Sequence, residues 1–116
     1  MVNFMKKNYL EEFLINKTEE IKKWSYDDLV PSINTIKTFT ENYQNRKINI
    51  EIESIKTGEG VMVMVECSAL RFFLIYVGKQ RFFYKSRSGD VKDIDGNEYY
   101  KKSVVSGKKK GNQELQ

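Results

Sequence analysis

The sequence predicts an α+β fold, with two N-terminal helices packed on one face of an antiparallel β-meander of roughly four to six strands. Three observations predict it. The spacing of apolar residues changes from about 3.6 to about 2 near Lys47. All the helix-like spacing precedes all the strand-like spacing, an order that layers helices on a sheet. The links between strand-like segments are short, whereas parallel pairing needs crossovers of roughly a dozen residues or more, so neighbouring strands pair antiparallel.

The first helix is read from about Tyr9 to Trp24, with Asn8 as its N-cap. Leu10, Phe13, Leu14, Ile21 and Trp24 fall on one face, and Glu11, Glu12, Lys17, Glu19, Glu20, Lys22 and Lys23 on the rest. Ser25, with Asp28 three residues on, resembles a capping box and opens a short turn at Tyr26 to Val30. Proline is tolerated in a first helical turn, so a second helix is expected to start near Pro31. Ile33, Ile36, Phe39 and Tyr43 give that helix its apolar face, and Asn42 to Arg46 is its polar stop. No strand is expected in the first forty residues.

Strand patterning then takes over. Ile48, Ile50 and Ile52 alternate with Asn49, Glu51 and Glu53, as in a strand with one wet face. Thr57 to Gly60 is a turn, and Val61 to Val65 is apolar on both faces, as in a central strand. Arg71 to Val77 and Arg81 to Ser86 follow, joined at Gly78 to Gln80. Asp95-Gly96-Asn97, between Val91–Ile94 and Glu98–Lys102, reads as a hairpin turn between two further strands. Residues 1–105 are read as one domain, and 106–116, rich in Gly, Lys, Asn and Gln, as a disordered basic tail. The expected core is Leu10, Phe13, Leu14, Ile21, Trp24, Ile36, Phe39, Ile50, Ile52, Val63 and Val65.

The chain of 116 residues is long enough for one core without a metal or a disulfide, since a domain of this size buries roughly two thirds of its unfolded surface. Its longest apolar run, Phe72 to Val77, is six residues, and a membrane span needs about 20. No long apolar region follows the charged N-terminus, so no signal peptide is expected, and the protein is expected in the cytoplasm. The net charge is +4, and the excess lies wholly after residue 46: the first 46 residues balance at seven of each sign. Cations are densest around Lys79, Arg81, Lys85 and Arg87, and again at Lys101, Lys102 and Lys108 to Lys110.

The residue inventory excludes several chemistries. There is no histidine and one cysteine, so the usual zinc sites cannot be built. Cys67 has no histidine to activate it and is expected to be buried and inert. Asp90, Asp93, Asp95 and Glu98 lie close together but lack the regular ligand array of a calcium loop. No metal and no cofactor are expected. Glu51 and Glu53 read as the solvated face of their strand, and Glu66 as a strand-end glutamate. Tyr76-Val77-Gly78 with Arg81 resembles only the second half of the GIY-YIG endonuclease motif; the preceding element and the following helix are absent.

The aromatic and basic strand pair from Arg71 to Arg87 stands out. Alternation puts Arg71 and Phe73 on one face of the first strand, and Arg81, Phe83 and Lys85 on one face of the second. That face is expected to be the wet one, offering aromatics beside cations. The candidate binding residues are therefore Arg71, Phe73, Arg81, Phe83, Lys85 and Arg87.

The function expected is that of a non-catalytic binding module, an accessory or inhibitory protein with a protein partner. A nucleic-acid-binding module, using the strand pair and the lysine-rich tail, is the alternative. A small enzyme with carboxylate chemistry is a second alternative. No membrane partner is expected, and a homodimer stays open. The helix-then-meander order is similar to the cystatin-like and NTF2-like folds, an architectural likeness that implies no function.

Overall fold

A computed structural model of the chain describes residues 2–71 and 75–105, with side chains described over 9–69 and 78–102. The expected basic tail, 106–116, lies outside the described residues. The element order is α1 (Val2–Lys22), α2 (Tyr26–Leu29), a 3-10 turn (Val30–Ser32), β1 (Lys37–Tyr43), β2 (Arg46–Thr57), β3 (Gly60–Arg71), β4 (Ile75–Ser86), β5 (Val91–Ile94) and α3 (Gly96–Val105). The strands form one antiparallel meander in the order β1-β2-β3-β4-β5, so the α+β class read from the sequence holds.

The sheet is covered on both faces. On one face, α1 and Leu29 of α2 close over Ile48, Ile50, Ile52, Val61, Val63, Val65, Cys67, Ala69 and Phe83. Helix α1 contributes Leu10, Phe13, Leu14 and Ile21 to that core. On the other face α3 lays Tyr99 against Ile55, Met62 and Met64, with Phe82, Tyr84 and Ile94 around them. Burying apolar surface at about 25 cal/mol per Å² makes the larger, α1-side core the main source of stability.

Ion pairs tie α1 to the sheet at separated points. Lys17 Nζ reaches Glu41 of β1 at 2.7 Å, Lys22 Nζ reaches Asp93 of β5 at 2.6 Å, and Glu11 meets Lys79 of β4 at 3.6 Å. The first two lysines keep little exposed surface.

Two expectations are corrected. Residues 37–43 form a strand, not a helix. Phe39 and Tyr43 are four residues apart, a spacing that places them on one face in either conformation. The turn decides between the two: Gln44 and Asn45 both take positive φ, 52° and 64°, as a tight type I′ hairpin requires. β1 thereby pairs with β2, Phe39 opposite Ile50. Glu98–Lys102 is likewise helical, within α3. Asp95 Oδ1 accepts the Glu98 backbone N–H at 2.8 Å, so Asp95 caps a helix that Gly96 opens, and the Asp-Gly pair is no hairpin turn. The first helix is also longer at its start than the sequence suggested, and it ends at Lys22, before Trp24.

The expected core holds at Leu10, Phe13, Leu14, Ile21, Ile50, Ile52, Val63 and Val65. Trp24 and Phe39 are only partly buried against it. Ile36 is 52% exposed: it sits in the link before β1, and the helix that would have turned it inward does not form.

Candidate functional site

The expected pairing of Arg71–Val77 with Arg81–Ser86 across a turn at Gly78 to Gln80 does not form: residues 75–86 are one continuous strand, β4, with Gly78 to Gln80 inside it, and β4 pairs with β3 in continuous register from Gly60 opposite Ser86 to Arg71 opposite Ile75. The expectation that its cationic face is wet is overturned. Phe83 is fully buried in the core under α1, and Lys85 is only 8% exposed. The reason is α1 itself: its apolar stripe needs a matching sheet face, and the valines of β3 and Phe83 of β4 supply it. Lys85 survives there because its ammonium leaves the apolar floor and donates to the Lys22 carbonyl oxygen at 2.7 Å. Phe83 and Lys85 are thus part of the fold and cannot meet a partner in this conformation.

The other candidate residues divide. Arg81 is half-buried on the α1 side, and Arg87 is exposed, its guanidinium 5.3 Å from the centre of the Tyr26 ring. Phe73 and the side chain of Arg71 lie outside the described residues. Phe82 and Tyr84, on the opposite face, are partly covered by α3, and Phe82 packs against Tyr99 and Tyr100. Among the described residues, then, the hairpin does not present the open aromatic platform that base stacking needs.

What remains accessible is the outer edge of β4. That strand has 12 residues and β5 has 4, and the two pair only from Phe82–Ile94 to Lys85–Val91. From Ile75 to Arg81, no strand pairs with β4 on that side among the described residues. The direction of the backbone groups follows from its two anchors. The Ser86 N–H donates outward to Asp90 O, and the Arg87 N–H donates inward to Glu59 O beside β3. Alternation then turns the N–H and C=O groups of Gly78 and Gln80 outward and those of Lys79 and Arg81 toward β3.

Where β5 ends and the chain turns into α3, a notch of about 290 Å³ opens, lined by Gln80, Arg81, Phe82, Asp93, Ile94, Asp95 and Gly96. Gln80 holds its side chain inward, donating to Glu66 Oε1 at 3.1 Å and to the Tyr100 hydroxyl at 3.0 Å. Attraction to Lys22, chiefly through their hydrogen bond, holds the Asp93 carboxyl below its ordinary pKa. Burial works against the charges of Lys17 and Lys22, but their carboxylate partners outweigh it and raise both lysines above the usual value. β1 forms the other edge of the sheet. There Glu41 is already held by Lys17, and the adjoining Thr38, Thr40 and Asn42 are exposed.

The groups that could have supported catalysis are dispersed. Burial pushes the Cys67 thiol up to about 12, which keeps it a thiol at neutral pH. Cys67 faces α1, whereas Glu53 lies beneath α3 and accepts the Tyr99 hydroxyl at 2.8 Å. Burial also raises the Tyr99 hydroxyl above its ordinary pKa. Glu51 and Glu66 are cross-strand neighbours, and Glu66 is engaged by Gln80. Among the described residues no three carboxylate or thiol side chains converge where a metal could be held. The described helices include none long and apolar enough to cross a membrane. No family model, curated protein or solved structure matches the chain.

The sequence reading missed Gly78 and Gln80 as contact residues because it treated them as a turn. The signal that could have found them is length: the strand after Asp90 is bounded by the Asp95 cap, so it cannot span its longer neighbour.

Proposed function

We propose that this protein is a small non-catalytic binding module, an accessory or inhibitory protein that captures an extended segment of a partner protein along the outer edge of β4. The observation that carries the reading is the stretch Ile75–Arg81, unpaired on its outer side among the described residues, beside a β5 that covers only the far end of the same strand. Backbone groups on such an edge bind an added strand through the same ladder that holds the sheet together. Pairing with β3 along the whole stretch sets the backbone of this edge before binding, which lowers the ordering cost on this side of the interface. A protein partner has more support than nucleic acid, because Phe83 is buried and Phe82 and Tyr84 are occupied by α3. We place its action in the cytoplasm, where a single unpaired cysteine is an ordinary feature.

The test is capture of a partner from nuclease-treated native lysate, its identification by mass spectrometry, and hydrogen–deuterium exchange on the purified complex. Slowed exchange confined to residues 75–81 and the notch supports the reading. Capture abolished by the nuclease, or protection mapping to α1 or β1, overturns it.

A further inference from the structure

We infer that the segment captured by β4 is acidic, with carboxylates at alternate positions facing the α1 side of the sheet; this rests on the strand-addition reading above. Among the described residues, the side chains that flank the open edge are those of positions 78 to 81. On the α1 side they are Lys79 and Arg81, because they alternate in phase with Phe83 and Lys85. On the α3 side they are Gly78 and Gln80.

Both cations are available. Lys79 and its partner Glu11 are 3.6 Å apart, with side chains 40% and 49% exposed, an arrangement that holds weakly in water. Arg81 has no salt-bridge partner among the described residues. Asp93 feels the charge of Arg81, but its salt bridge goes to Lys22 at 2.6 Å. A strand laid against β4 sets residues i and i+2 beside these two cations, within the distance at which cross-strand pairs of opposite charge attract. The same cations repel a second copy of this edge, so they select against self-pairing as well as for an acidic partner.

Gly78 and the notch set the other side. Gly78 is exposed and has no side chain, which leaves room for a larger neighbour from the partner on the α3 side. The added strand is collinear with β5, and its end meets the notch, where Arg81 stands with Asp93 and Asp95 beside Phe82 and Ile94. Asp93 is paired there with Lys22. The preferred segment carries acids at i and i+2 opposite Lys79 and Arg81, the second of them at the notch.

The experiment uses the full chain and three blocked synthetic peptides of about eight residues, a length that covers the open edge. One alternates Glu with Thr, one Lys with Thr, and one Ser with Thr. Binding is followed by titration, and the amides of Gly78 and Gln80 by NMR hydrogen exchange. The expected result is that the Glu peptide binds at least about tenfold more tightly than the Lys peptide and slows exchange at both amides. The double variant Lys79→Gln and Arg81→Gln is expected to remove the preference while the amides remain protected by whichever peptide binds. Equal affinities with protected amides overturn the acidic preference and leave strand addition standing. No protection by any peptide, or Glu-peptide binding that bypasses these amides, overturns both. Displacement of the Glu peptide by a single-stranded oligonucleotide, without amide protection, overturns the inference in favour of a nucleic-acid partner.

Discussion

Lys85 Nζ donates a hydrogen bond to the Lys22 carbonyl oxygen at 2.7 Å, so a residue of β4 caps the C-terminal end of α1. The last carbonyls of a helix lack intrahelical donors and carry the negative end of the helix dipole, and an ammonium answers both. Because Lys85 is almost wholly buried, it belongs to the fold and not to a contact surface. Lys85→Met keeps the aliphatic stem and deletes the donor. It is expected to cost about 1–3 kcal/mol in a reversible urea melt. Arg87→Ala, at an exposed site over Tyr26, is expected to change stability by less than about 1 kcal/mol. Equal effects of the two changes would show that the cap contributes nothing.

The α1-side core gives a second expectation. Leu14 and Ile50 are fully enclosed between helix and sheet. Truncating either to alanine is expected to cost about 2–5 kcal/mol, from lost transfer energy and the cavity left behind. Ile36→Ala is expected to cost less than about 1 kcal/mol, since that side chain is half in water. Denaturant midpoints at constant slope decide both.

How much of this was legible in the sequence depends on whether a residue's role is local. The stripe of Leu10, Phe13, Leu14 and Ile21 and the alternation of Ile48, Ile50 and Ile52 could be read directly, because burial follows the local period. Phe39 and Tyr43 could not be assigned, because a four-residue spacing fits both periods and only the positive φ of Gln44 and Asn45 separates them. Asp95-Gly96 serves equally as a hairpin turn or as a cap with a first helical residue. Burial of Glu53 depends on Tyr99, 46 residues later, a relation no local pattern encodes. The open edge of β4 is of the same kind: it arises from a mismatch in length between two strands, visible only once both are bounded.

Stability is expected to be flat from about pH 5 to pH 8 and to fall on both sides. Asp93 has a folded pKa below its unfolded value, so its contribution is complete above about pH 4 and is lost as the pH falls through the folded value. Asp93→Asn should therefore flatten the acid limb. Cys67 is raised by burial to about 12, so its contribution is present below the unfolded value of about 8.5 and is lost as the pH rises toward the folded value. Lys17 and Lys22 are raised too, and their contributions persist up to about pH 10 before they are lost. Urea melts across the pH range test this order. An alkaline limb that starts at the same pH in Cys67→Ser as in the parent would contradict the assignment to the thiol.

Adjacent prolines on β4 test the assignment of its backbone groups. Proline removes one N–H, and an edge strand tolerates that only where the N–H faces away from its neighbour. The Gly78 N–H points outward by its phase with Ser86, whose N–H donates to Asp90 O. A Cβ at position 78 meets nothing nearer than Glu66 Oε2 at 3.3 Å, a flexible carboxylate end that can yield. Glycine to proline also reduces the freedom of the unfolded chain, which favours the fold. Gly78→Pro is therefore expected to stay within about 1 kcal/mol of the parent in stability while losing the capture of any strand laid on this edge. At the next position the Lys79 N–H faces β3 opposite Cys67, and proline there removes a ladder bond inside the sheet. Lys79→Pro is expected to cost about 1–3 kcal/mol, for the β3 acceptor left without its donor. Equilibrium melts of both variants, with peptide titration of Gly78→Pro, separate the outcomes. If Gly78→Pro is the more damaging of the two, the phase assigned to the edge is wrong. If it folds and still binds a peptide with no protection of the Gln80 amide, strand addition runs along another edge.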